Sequence, residues 1–250
     1  MIDVHSHLLP GVDDGSRTVE NSVAVLQRFA AEGVECVVLT PHLVASRVAE
    51  APYERHLAVL ETLRAAAPAV PELKLGWEIM LDEPNADLRP KQLSLGGSRA
   101  VLVEFPHSGV PSQGGDELYR IRCSGVVPVL AHPERYWGCT VEKVEAWRYA
   151  GAVIQMDTTG LLGKGRVGKI SRQLLEQGLV DLFASDNHGD GRTLATARDW
   201  LRKAASPEHA ELLTRTNARR LLDGEPLIPV PPLSGKGGLL GRLRRLLLRR

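Results

Sequence analysis

Apolar positions along the chain switch between two spacings. Ile2 and Val4 alternate with polar neighbours, the pattern of a short strand, and Pro10, Gly11 and Gly15 turn the chain back behind it. Val19, Val23, Leu26 and Ala30 then recur at helical spacing, with Thr18 placed as N-cap and Gly33 as the stop. Residues 34–40, β-branched, read as the second strand and end at Pro41-His42. A helix is expected over 53–67, with Leu57, Leu60 and Leu63 as its stripe, and a third strand over 73–80. Strands are read at 100–105, 126–131, 152–156 and 179–185, and helices at 116–123, 141–150, 168–177, 194–204 and 216–222.

Seven such units with short connections predict a parallel sheet. No G-x-G-x-x-G follows a strand and no G-x-x-x-x-G-K-[ST] occurs, so a nucleotide-binding doubly wound fold loses its main support. A closed or nearly closed α/β barrel is expected over residues 1–224. A proline-rich linker and a basic tail follow over 225–250.

Composition adds exclusions. Of the 250 residues, 43% are hydrophobic and 24% charged, as in an ordinary soluble globule. A net charge of +1 gives no reason to expect nucleic acid as a partner. Cys36, Cys123 and Cys139 lack C-x-x-C spacing, which points to a reducing compartment. The start has no basic region followed by a long apolar run, and no stretch of about 18 apolar residues occurs, so a cytoplasmic protein is expected.

Candidate chemistry collects where the strands end. The first strand supplies His5 and His7, followed by Asp14; the second supplies His42, the third Glu78, the fourth Glu104 and the fifth His132. The seventh supplies Asp186 and His188, and the sixth offers only Asp157. Singly, His42 also reads as a strand-end cap, Glu78 as an exposed position and Glu104 as an arginine partner. Together, on the one rim where barrel strands converge, they read as a metal cluster. One ion takes about four to six ligands, so two or three divalent ions sharing a carboxylate account better for the set. All-nitrogen and oxygen ligation favours Mn, Fe or Zn over thiolate-bound Zn. Such clusters hydrolyse phosphate esters. Arg135 has the planar fork to grip phosphate, with a surface salt bridge to Glu134 as its other reading, and Arg192 is a second candidate.

The motifs HSHLLPGVDDG, TPH, GWEIM, VEFP, AHPERY and SDNHG resemble those of the polymerase-and-histidinol-phosphatase (PHP) superfamily. More narrowly, the chain up to about Leu222 resembles the CpsB/YwqE-type bacterial manganese-dependent protein-tyrosine phosphatases of capsule and exopolysaccharide loci. The resemblance implies a distorted (β/α)7 barrel of the PHP type with a trinuclear site, Mn being the first expectation. It implies His5, His7, Glu78 and Asp186 on the first metal, Glu78 bridging to a second held by Glu104 and His132, and Asp14, His42 and His188 on the third. It implies a phosphate-binding or leaving-group role for Arg135 and a similar one for Arg192, which follows a spacer one residue shorter than the family's. It also implies a partner, the phosphotyrosine tail of a bacterial tyrosine kinase controlling polysaccharide export.

Cysteine-dependent tyrosine phosphatases need Cys-x5-Arg, and none of the three cysteines has an arginine six residues on. Two other functions fit the barrel: hydrolysis of a small phosphate monoester such as histidinol phosphate, and a non-catalytic PHP scaffold. In the tail, Leu239, Leu243, Leu246 and Leu247 fall on one helical face and Arg242, Arg245 and Arg249 opposite. That face suits an anionic membrane surface or an acidic partner, which would place the protein at the inner membrane face. Docking of the leucines on the barrel or on a second subunit is the other reading, so an oligomer stays open.

Overall fold

A computed structural model describes residues 1–106 and 109–233. The basic tail expected at 238–250 lies outside the described residues.

The first strand, β1 (Ile2–Ser6), pairs in parallel with β2 (Cys36–Leu39), and β2 with β4 (Glu72–Leu75). A second parallel sheet runs β3 (His42–Val44), β5 (Glu78–Met80), β6 (Ala100–Glu104), β7 (Val127–Ala131), β8 (Val153–Asp157) and β9 (Leu182–Ala184). The expected third strand is thus broken in two, and the second, expected to end at Pro41-His42, resumes there as β3. Pro41 has no N–H for the ladder, and a Cβ on Gly76 would press on Leu95 and Val38, so both strands bend at the same level. Hydrogen bonds cross the bend, from the Gly76 N–H to the Leu39 carbonyl at 2.8 Å and from the Glu78 N–H to the Pro41 carbonyl at 3.1 Å. Past β9 the chain returns to β1. The Asp186 N–H donates to the His5 carbonyl at 2.9 Å and the His7 N–H to the Asn187 carbonyl at 2.7 Å. Counting each bent strand once, the ring has seven staves in sequence order, a distorted (β/α)7 barrel.

Helices follow the strands: α1 (Val19–Ala31), α2 (Tyr53–Ala66), α3 (Gly114–Cys123), α4 (Val141–Tyr149), α5 (Thr158–Leu162), α6 (Gly165–Glu176), α7 (Leu194–Ala204), α8 (Pro207–Glu211) and α9 (Asn217–Leu222). Thr18 caps α1 as expected, accepting from the Asn21 N–H. The five-residue helices α5 and α8 are too short to leave an amphipathic period in the sequence.

Alternate strand residues divide between two apolar layers, because successive side chains on a strand face opposite ways. Val37, Val101, Val103, Leu130, Ile154 and Phe183 pack outward with Phe29, Leu60, Leu63 and Leu118 of the helices. Cys36, Val38, Leu102, Val129, Leu182 and Ala184 pack with one another and with Ala218 and Leu221 of α9. Glu104 lies on the face of Leu102, two residues on, and Gln155 and Asp157 lie on that of Val153. A register shift in β1 between Asp3 and Ser6 places His5 at the same ring end.

Candidate metal centre

All the expected ligands but Asp14 lie at or just beyond the carboxyl end of a strand, or where a bent strand resumes; Asp14 lies in the turn that follows β1. The register sets His42 beside Glu78 across β3 and β5, and Glu104 two residues beyond Leu102, the partner of Glu78. His132 and Asp186 occupy the corners after β7 and β9 with φ of +31° and +48°. That left-handed backbone disfavours residues with a Cβ, and its use at two corners of one site fits strain concentrated where function needs geometry.

The nine side chains form overlapping groups whose ligand atoms lie within 4.8 Å of one another: His7, Asp14, His42 and His188; His5, Glu78 and His132; His5, His7 and Asp186; and His42, Glu78 and Glu104. Glu78, 2% exposed, is the hub: its oxygens lie 3.4 Å from His5 Nε2, 3.2 Å from His7 Nε2, 3.1 Å from His42 Nδ1 and 2.8 Å from His132 Nε2. The exposed reading of Glu78 is therefore excluded. Asp14, by contrast, is largely exposed and reaches His42 Nε2 at 3.2 Å and His188 Nε2 at 3.6 Å.

Two groups outside the expected set decide which histidine nitrogens face inward. His5 Nδ1 bonds Gln155 Oε1 at 2.9 Å, and His7 Nδ1 bonds Asp13 Oδ2 at 2.8 Å. Each Nδ1–H donates outward, which leaves each Nε2 as the atom turned to the centre, where it takes a proton or a metal ion. Those two Nε2 atoms stand 3.2 Å apart, with Asp186 Oδ1 3.3 Å from both. Acceptors crowded on acceptors repel unless a cation sits among them, so the donor set fits divalent ions.

The electrostatics show a pocket that holds positive charge. Burial alone would depress the His5 imidazolium, but Glu78 and Asp186 outweigh it and hold its pKa up at about 9. Burial, then the charge of Glu78, pushes the Glu104 carboxyl up to about 7. Burial would also raise Asp186, yet His5, His7 and Arg135 hold it well below the usual carboxylate range.

Both expected arginines arrive at Asp186. Arg135 pairs with Asp157 and, at 2.5 Å, with Asp186 Oδ2; Arg192 Nη1 reaches the same oxygen at 3.2 Å and its Nε bonds Asp190 at 2.8 Å. A salt bridge from Arg135 to Glu134 is not formed: Glu134 is fully buried and accepts the Asp157 N–H at 2.9 Å. Asn187 shapes the last loop, its amide donating to the Arg192 carbonyl at 2.6 Å while its oxygen accepts the Gly189 N–H at 2.7 Å. Asp13 had a sequence signal, the paired aspartates before Gly15. Gln155 and Asn187 had none, being single polar residues amid strand and loop.

No cysteine joins the centre. Cys36 and Cys139 are buried, and burial pushes their thiols up to about 11 and about 12, the reverse of an activated nucleophile.

Comparison with known proteins points the same way. The model of the family described as capsular polysaccharide synthesis, CpsB/CapC, matches residues 1–223. The tyrosine-protein phosphatase YwqE of Bacillus subtilis (strain 168) is 30% identical over 246 residues, 93% of this chain and 95% of that protein. The tyrosine-protein phosphatase CpsB of Streptococcus pneumoniae is 29% identical over 239 residues, 89% of this chain and 98% of that protein. A crystal structure from work on YwqE and CpsB, described there as unique metal-dependent tyrosine phosphatases, matches with a TM-score of 0.78 and 26% identity, covering 94% of this chain and all of that one.

Proposed function

This chain belongs to the CpsB/CapC family, and from that premise we propose that it is a metal-dependent protein-tyrosine phosphatase whose ions are held by His5, His7, Asp14, His42, Glu78, Glu104, His132, Asp186 and His188. The observation that carries the reading is the pair of inward-facing Nε2 atoms of His5 and His7, 3.2 Å apart and ringed by carboxylates. Divalent ions bound there activate water as a nucleophile and polarise phosphoryl oxygens. The all-nitrogen and oxygen donor set suits Mn, Fe or Zn alike, and Mn is the metal we assign, on the resemblance to the manganese-dependent phosphatases.

The chain's own residues supply the rest. Gln155 and Asp13 fix the tautomers of His5 and His7, so that both rings keep their acceptor nitrogens toward the ions. Arg135 and Arg192 bring two guanidinium groups to the rim of the cluster, where they neutralise phosphate charge and orient it. Asp157 holds the fork of Arg135 from below, so the residue offered by the sixth strand serves the arginine. A tyrosine phenolate, with a pKa near 10, leaves more readily than an alkoxide, which lightens the demand for a general acid. The substrate on this reading is the phosphotyrosine tail of a bacterial tyrosine kinase of capsule or exopolysaccharide synthesis. No helix of the described residues is long and apolar enough to cross a membrane. We assign the basic residues of 238–250 to contact with the anionic inner membrane face, where such a kinase would be met.

The test combines elemental analysis with p-nitrophenyl phosphate turnover for wild type and His42→Ala. Two to three ions per chain, loss of turnover in the variant and on chelation, and turnover that survives iodoacetamide are expected. A metal-free protein whose variant matches wild type would revive the scaffold, and preference for histidinol phosphate over a phosphotyrosyl peptide would reassign the substrate.

A further inference from the structure

Beside the metal centre lies a cleft of about 130 Å³, bordered by Pro106, His132, Arg135, Tyr136, Trp137 and Arg166. Two of these residues belong to the centre just described; the other four have no part in it. Trp137 is 82% exposed, on the loop between Arg135 and α4. A single exposed aromatic calls for no explanation. This one is set in a rigid frame. The Arg166 guanidinium stands 5.6 Å from its ring centroid, and that guanidinium donates to the Arg135 and Tyr136 carbonyls, both at 3.0 Å. Tyr136 is pinned in turn, its hydroxyl donating to the Ala131 carbonyl at 2.9 Å and accepting the Phe105 N–H at 3.1 Å. The cleft therefore has one wall held by hydrogen bonds, an aromatic edge, and a base made of one ion-ligating histidine and one phosphate-gripping arginine.

We propose that this cleft is the aryl subsite of the phosphatase, in which Trp137 stacks on the phenyl ring of the phosphotyrosyl side chain while Arg135 holds its phosphoryl group. The proposal rests on the phosphatase reading above. Size agrees: an engineered apolar cavity of roughly 150 Å³ takes one benzene ring. Position agrees, because His132 and Arg135 both border the cleft, so a phosphoryl group held at Arg135 would have the cleft within reach of its ester substituent. Chemistry agrees as well. Offset stacking rewards a flat ring, and a short alkyl ester gains nothing from Trp137. The subsite thus selects aryl over alkyl monoesters at a centre whose ions and arginines recognise only phosphate.

The experiment uses the metal-loaded full chain and two inhibitors of p-nitrophenyl phosphate turnover, phenylphosphonate and inorganic phosphate. Trp137→Ala is expected to weaken inhibition by phenylphosphonate roughly three- to tenfold and to leave inhibition by phosphate unchanged. Trp137→Phe is expected to keep both. Tryptophan fluorescence gives a readout free of turnover: phenylphosphonate should alter it in wild type and not in Trp137→Phe. Equal weakening of both inhibitors in Trp137→Ala would show a structural role and overturn the subsite, and so would no change in either. A wild type that binds metal and hydrolyses no aryl phosphate overturns the phosphatase reading itself.

Discussion

At His5 and His7 the outer ring nitrogen decides what the inner one does. Gln155, fully buried on the inward face of β8, has no charge to contribute, and its one contact with the centre is the 2.9 Å bond to His5 Nδ1. Removing it frees the imidazole to flip or to take the other tautomer, which would turn an N–H on the ions. Gln155→Leu keeps the volume and removes the acceptor. It is expected to lower metal affinity about 10- to 100-fold, read by competition with a chelator of known affinity, with the fold intact by circular dichroism. Unchanged affinity would mean that packing alone orients His5. The same residue shows where sequence reading ends. Histidines and carboxylates announce themselves by chemistry and by their recurrence at strand ends, so the nine candidate ligands were legible. A lone glutamine on a strand carries no such signal, and only its place on the ring, facing β1, reveals its part.

Elements show a similar division. The periodicities give the seven staves and the long helices to within a few residues, because burial of one face leaves a period of two or of 3.6 in the apolar positions. They do not give the bend at Gly76, where Leu75 and Trp77 on either side remain apolar, nor the resumption of the second strand at His42, because Pro41 reads as its end. Both matter, for they carry β3 and β5 to where His42 and Glu78 meet in register. The turn after β1 is as constrained. Ser16 N–H donates to the His7 carbonyl at 2.8 Å, and Gly15 lies so close beneath that a Cβ there would run into the His7 carbonyl and its Cβ. Gly15→Ala is therefore expected to cost about 1–3 kcal/mol by overpacking and to weaken metal binding, because Asp13 and Asp14 move with the turn. Gly33→Ala is the matched comparison: it sits after α1 at φ +84° with no atom within 4 Å of a new Cβ, so its cost is backbone strain alone. Urea denaturation and metal titration of both variants separate the two. Equal loss of metal affinity in both would place the effect in general stability, and no loss in Gly15→Ala would show the turn to be free to shift.

For the molecule as a whole, the question is where the barrel ends. The sequence changes character at Glu225, and a boundary placed there follows composition. Physical contact continues further. Asn217 in α9, fully buried, exchanges two hydrogen bonds with Ile228, each 3.0 Å, and donates to the Asp181 carbonyl beside β9 at 2.9 Å. Val230 is 5% exposed, and the Pro231 carbonyl accepts from His209 Nε2 at 3.0 Å. Proline lacks N–H groups to satisfy, so an extended strap over the helices needs few partners, and one side-chain amide provides most of them. The strap lies on the side of the ring away from the metal centre, since α9 and the strap meet the first residues of β6, β7 and β8 around one cleft. Asn217→Ala would leave the Ile228 pair and the Asp181 carbonyl unpaired together. The expected loss is about 2–3 kcal/mol, a fall in Tm of roughly 5–10 °C for a chain of this size. Amide exchange should speed first across 225–233, while metal content and turnover below the transition stay at wild-type values. If stability falls and exchange in the strap does not change, Asn217 serves the α9–β9 contact alone and the strap is held by Val230 and His209; a loss of metal content would instead tie the strap to the opposite end of the ring.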